Sequence, residues 1–135
     1  MTIYDSTIGI DLAIETRNPT VIAVYKDNQI IEILEQKHTD WTDRDNWIEG
    51  VLNKYRDNGF IFNVRMDTPQ SQWRIVEIVK IDSSQQREYF FQGIRDALES
   101  HTLTVPKNYN PMKHEWAAAL SYKIQPGIRI VEKWF

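Results

Sequence analysis

The chain has 135 residues, 41% of them hydrophobic and 26% charged, a composition suited to one soluble domain spanning residues 1–135. No apolar run approaches the length of a membrane-spanning helix, and the absence of cysteine excludes disulfides, thiolate metal sites and cysteine nucleophiles. A formal net charge of −3 excludes a protein that holds nucleic acid by bulk charge alone.

The start, MTIYDSTIG, has neither the basic end nor the apolar stretch of a secretory signal, so an intracellular, cytoplasmic location is expected. From Thr7 to Ala13 the sequence TIGIDLA reads as a short buried strand with one carboxylate in it, Asp11. TVIAVY (Thr20 to Tyr25) and IIEILE (Ile30 to Glu35) read as two more strands. The polar KDNQ between them predicts a tight turn and an antiparallel hairpin. A helix is expected over about Asp43 to Asn58, with Thr42 as N-cap and Gly59 as the stop.

Phe60 to Met66 (FIFNVRM) is strand-like, and Asp67 stands at its C-terminal end. Thr68-Pro69 predicts a helix running through Val79, by the preference of proline for the first helical position. Lys80 to Asp82 is a candidate short strand, and Ser84 to Ser100 a long amphipathic helix. LTVP (Leu103 to Pro106) reads as a brief extended piece, and Asn110-Pro111 as the start of a last helix to about Tyr122. IRIVEKWF closes the sequence as an edge strand or a tail. A hairpin followed by alternating helices and strands predicts an α/β mixed sheet with helices on its faces. The strand ending at Asp67 follows a crossover helix and can lie parallel to the first strand, which brings Asp11 and Asp67 to one region of the sheet.

Charge is unevenly spread. Residues 1–67 hold 7 Lys/Arg and 12 Asp/Glu, and residues 101–135 hold 5 Lys/Arg and 2 Asp/Glu. This pattern permits an acidic pocket beside a modest basic rim. A carboxylate in an apolar strand is costly unless its desolvation is offset, and gathered carboxylates are the usual protein site for hard divalent cations such as Mg²⁺ and Mn²⁺. A third acid, Glu115, lies in MKHEWAAAL, whose alanines describe a helix packed closely on a sheet. Plainer readings stand beside these: Asp67 as the cap of a turn or of the next helix, and Glu115 as a solvated helix residue.

Together, GIDLA (Gly9 to Ala13), the apolar strand ending in Asp67 and HEWAAAL (His114 to Leu120) resemble a ribonuclease H-like metal nuclease. The likeness is greatest to the nuclease domain of viral large terminase subunits. DSSQQREYFFQGIRDALESHTLTVP (Asp82 to Pro106) is similar to that family's serine-led helix and following short strand, so the resemblance spans roughly Ile8 to Tyr122. It implies a ribonuclease H-like mixed sheet, its first three strands antiparallel and the next ones parallel, with helices on both faces. It also implies a viral endonuclease that cuts DNA with two Mg²⁺ or Mn²⁺ ions about 3.5–4 Å apart. Asp11 would bridge both ions, Asp67 would hold one and Glu115 the other. Lys107, Lys113, His114 and Lys123 are the candidate nucleic-acid contacts, each with a structural or solvated alternative.

The chain departs from the family pattern in having Glu115 where Asp is usual and no glycine closely after Asp67. It also has no Gly-rich Walker sequence, so a DNA-delivering ATPase motor would have to be encoded separately. RNA as the substrate stays open. The alternative of another class is an inactive ribonuclease H-like domain that binds nucleic acid or protein, although all three acidic positions are kept. GIDLA also resembles the opening of actin-like ATPases, but IETRNPT after it lacks the glycine of their phosphate loop.

Overall fold

The computed structural model describes residues 3–67, 75–81, 83–122 and 129–134; at 75, 76, 80 and 129–134 only the backbone is described. The element order is β1 (Ser6–Asp11), β2 (Thr20–Lys26), β3 (Gln29–Gln36), α1 (Trp41–Asp57), β4 (Phe62–Met66), β5 (Ile75–Lys80), α2 (Ser84–Glu99), α3 (Pro111–Ser121) and β6 (Arg129–Trp134). The six strands form one sheet in the order β3-β2-β1-β4-β5-β6. β1, β2 and β3 are joined antiparallel, β4 lies parallel to β1, β5 parallel to β4, and β6 antiparallel to β5. This is the mixed α/β sheet expected from the sequence.

The β2–β3 turn places Asp27 and Asn28 at φ 52° and 63°, the left-handed pair that matches hairpin twist and that Asx residues tolerate. α1 starts two residues before the expected point. Asp40, not Thr42, is its N-cap, its carboxylate accepting from the Asp43 N–H at 2.7 Å. Asn58 and Gly59 end the helix, with Gly59 at φ +85°. α2 and α3 begin where expected, capped by Ser83 and Asn110. Thr104, in the brief extended piece, bridges to Gln29.

The largest correction concerns the helix expected through Val79. Residues 75–80 are instead the strand β5, and residues 68–74 lie outside the described residues. The proline signal at residue 69 is local, whereas IVEIVK is rich in β-branched residues and is sandwiched between two strands, where such side chains pack well. β5 ends at Lys80; of the short strand expected at Lys80 to Asp82, only Lys80 is strand, Ile81 follows β5, and Asp82 lies outside the described residues. The closing segment is an edge strand rather than a tail.

Strand alternation divides the molecule into two cores. Ile8, Ile10 and Leu12 of the β1 segment, with Val64 and Met66 of β4, pack against Ile48, Val51, Leu52 and Tyr55 of α1. The other face carries Ala23, Val79, Phe90, Ile94, Trp116 and the alanines 117 to 119, and is covered by α2 and α3. α3 approaches closely because of Gly9. A Cβ at that position would lie 2.3 Å from the Ala117 carbonyl oxygen and 2.5 Å from the Ser121 nitrogen. Glycine is therefore required if α3 is to lie directly on β1, the strand that ends in Asp11.

Candidate active site

The parallel pairing of β1 with β4 puts Gly9 opposite Arg65. Two residues further along each strand, alternation brings Asp11 and Asp67 to adjacent positions on the α2/α3 face, at the C-terminal ends of neighbouring central strands about 5 Å apart. Ligand sites of open α/β sheets favour such strand ends. Burial, then the proximity of Asp67, push the Asp11 carboxyl up to about 6, with Arg87 acting in the opposite direction. The Asp11 anion is thus less favoured than that of an ordinary carboxyl, and positive charge brought beside it would relieve the cost.

Asp67 is oriented by α3. The Trp116 indole N–H donates to its Oδ2 at 2.9 Å, and Arg87 Nη1 stands 3.7 Å from the same oxygen. The Arg87 guanidinium lies 4.1 Å from the centre of the Trp116 ring and 5.6 Å from that of Phe91. The indole therefore serves as hydrogen-bond donor to the acid and as platform for the cation. Below the acids, Arg65 bonds Glu77 at 3.0 Å and the Tyr122 carbonyl at 2.7 Å, tying β4 to β5 and to the end of α3. On the far side of β1, buried Arg44 donates to the Ala13 carbonyl at 2.8 Å, and the Ala13 N–H donates to Thr20 Oγ1 at 3.1 Å. These bonds hold the chain that leaves Asp11.

Glu115 does not join the pair. Arg95 of α2 takes both its oxygens, at 2.6 and 3.1 Å, and also bonds Glu88 at 2.9 Å. The helical phase explains this: Trp116 is turned to Asp67 and His114 to β3, which leaves Glu115 between them, facing α2. Among the described residues no three His, Asp or Glu side chains converge as a metal site. Asp11 and Asp67 suit a divalent cation in donor type and position, but the described residues do not complete the ligand set for two ions.

His114 is 2% exposed. Its Nδ1 accepts from the Asn110 N–H at 2.9 Å, so Nε2 carries the proton and donates to Glu35 at 2.8 Å. Both ring nitrogens are occupied in fixing the start of α3 to β3, which leaves neither for the phosphate contact expected from the sequence. Lys107 and Lys113 are exposed. Lys107 adjoins Asn108, whose side chain donates to the Ile33 carbonyl, and Lys113 precedes His114, which bonds Glu35, so both stand beside segments tied to β3. Lys123 lies outside the described residues. Sequence reasoning missed Arg87 and Trp116, although both stand in segments that carry the resemblance, because their relation to Asp67 exists only once α2 and α3 pack on the sheet.

No protein-family model and no curated protein matches the chain. Among solved structures it is similar to the large terminase nuclease from thermophilic phage G20c, solved with bound zinc. The TM-score is 0.56 and the identity 13%, over 88% of this chain and 80% of that one. The likeness is one of fold, a ribonuclease H-like mixed sheet. No helix among the described residues is long and apolar enough to cross a membrane.

Proposed function

We propose that the protein is a metal-dependent endonuclease that hydrolyses DNA phosphodiester bonds, with Asp11 and Asp67 as the metal-binding acids. The observation that carries this reading is the placement of the two carboxylates side by side, on one face, at the ends of β1 and β4 in a terminase-nuclease-like fold. A bound Mg²⁺ or Mn²⁺ supplies a water of lowered pKa and neutralises charge on the phosphoryl group. Asp11 would hold the ion most strongly, since its burial gives it the most to gain from a cation. Asp67 is the second ligand, held in rotation by Trp116. Gly9 lets α3 lie close enough to place Trp116 there. The two-ion form of the reading assigns Glu115 to the second ion, which requires Glu115 to leave Arg95. DNA is the substrate, and a separately encoded motor or other DNA-delivering subunit is the natural partner of an acidic nuclease with little affinity of its own. Its place of action is the cytoplasm, that of the host cell if the protein is viral.

The Arg95–Glu115 bridge favours a second reading, an inactive ribonuclease H-like domain that binds nucleic acid or protein. Plasmid nicking in Mn²⁺, Mg²⁺ or EDTA, with the chain and its Asp67→Asn variant, separates the two. The nuclease reading expects nicking that needs metal and is lost in the variant. Equal nicking by both proteins, or none by either, contradicts it.

A further inference from the structure

We propose that Arg87 is a substrate-contacting residue of this site, which rests beside Asp67 in the metal-free protein and receives a DNA phosphate once a divalent cation is bound by the acids. The inference deepens the nuclease reading and rests on it.

Among the described residues, the other arginines that brace the site are committed elsewhere. Arg44 is bound to the Ala13 carbonyl and Asp45, Arg65 to Glu77 and the Tyr122 carbonyl, and Arg95 to Glu115 and Glu88. Arg87 differs. Among the described residues its carboxylate partner is Asp67 at 3.7 Å, within ion-pair range but beyond a hydrogen bond, and its side chain is 45% exposed. It lies over the ring of Trp116 and, further off, that of Phe91. Contact with an aromatic ring holds a guanidinium in place without occupying its N–H edge. A phosphate is the anion whose geometry suits that edge.

The site also has an electrostatic conflict that a phosphate resolves. A cation beside Asp67 opposes the binding of a second, divalent cation at the same carboxylate. When the divalent ion neutralises the acids, the attraction between Arg87 and Asp67 is cancelled, and the guanidinium is left beside a cationic centre without a counter-charge. An incoming phosphate supplies one. Arg87 should therefore weaken metal binding and strengthen DNA binding. A residue that only buttresses α2 would not have these opposite effects.

The test uses the whole chain, Arg87→Gln, Arg87→Lys and Asp67→Asn. Mn²⁺ affinity is read from the spectrum of free Mn²⁺, and DNA affinity from the fluorescence anisotropy of a labelled duplex in Ca²⁺ over a range of salt. Arg87→Gln should bind Mn²⁺ about two- to fivefold more tightly. It should bind DNA about tenfold more weakly, with the salt slope reduced by about one. Arg87→Lys keeps the charge without the planar guanidinium and should fall between; it carries the test if the glutamine variant does not fold. Unchanged DNA affinity and salt slope in both variants overturn the proposal, whatever happens to Mn²⁺. If Asp67→Asn binds Mn²⁺ as well as the unaltered chain does, the nuclease reading itself falls, and the role of Arg87 with it.

Discussion

The two faces of β1 and β4 divide the labour of the molecule. Toward α1 these strands present Ile8, Ile10, Val64 and Met66, every one of them buried among apolar neighbours. Toward α2 and α3 the alternate residues of the same strands are Thr7, Gly9, Asn63 and Arg65, followed by Asp11 and Asp67. Thr7 and Asn63 bond each other at 2.7 Å, Arg65 bonds Glu77, and the series ends in the unsettled acid pair. A period of two residues thus lets one face hold the fold together while the other tolerates charge at its open end. Changes on the α1 face should affect stability alone, and changes at the acid pair on the other face should affect stability and chemistry in opposite directions.

The largest expected effect is on chemistry. Asp67→Asn should lower metal-dependent nicking by more than about a hundredfold, since even residues one bond removed from a metal commonly cost about 10–100-fold. On the opposite face, Ile10→Ala should cost about 2–5 kcal/mol of stability by opening a cavity, without altering the melting-temperature gain produced by Mn²⁺. Nicking assays check the first statement, and denaturant unfolding with and without the ion checks the second. If Ile10→Ala removed the Mn²⁺ response while the protein stayed folded, the division between faces would be wrong.

A smaller effect should run in the stabilising direction. Because the folded protein holds the Asp11 proton up to about 6 against 3.8 for the ordinary carboxyl, it binds more protons than the unfolded chain between these values, and stability falls as pH rises through that window. The stability lost is at most about 3 kcal/mol. Asp11→Asn should therefore raise stability at pH 7 and leave it almost unchanged at pH 3, measured by urea unfolding without metal. Gly9→Ala should cost about 1–3 kcal/mol, because α3 must move off the strand. The smallest effect is at the rim. Arg95→Met should lower the melting temperature a little, because it strips the Glu115 carboxylate, 12% exposed, of its partner, but it should free Glu115 and increase the Mn²⁺ response if Glu115 serves a second ion.

Much of the site's framework is legible in the sequence, and for a definable reason. TIGIDLA and FIFNVRM show local alternation, and an acid at the end of each is visible without knowledge of the fold. The crossover helix between them implies parallel neighbours, which brings Asp11 and Asp67 together. Glu115 is not placed in the same way, because an alanine-rich run shows that a helix is buried but does not fix which neighbour faces a flanking residue. That depends on Arg95, from another helix. The same limit hides Arg87 and Trp116. β5 reads as helix when a local proline signal is weighed above the β-branched run after it, and the partner strands that decide the matter are not local.

The most direct test of the central claim is the melting temperature of the metal-free chain and of Asp11→Asn during Mn²⁺ titration at pH 7. An ion held by Asp11 and Asp67 should stabilise the unaltered chain progressively, by about 2.7 kcal/mol at about a hundred times its dissociation constant. The variant, though more stable at the outset, should gain little. An equal gain in both proteins would place the metal elsewhere and contradict the assignment of the acid pair.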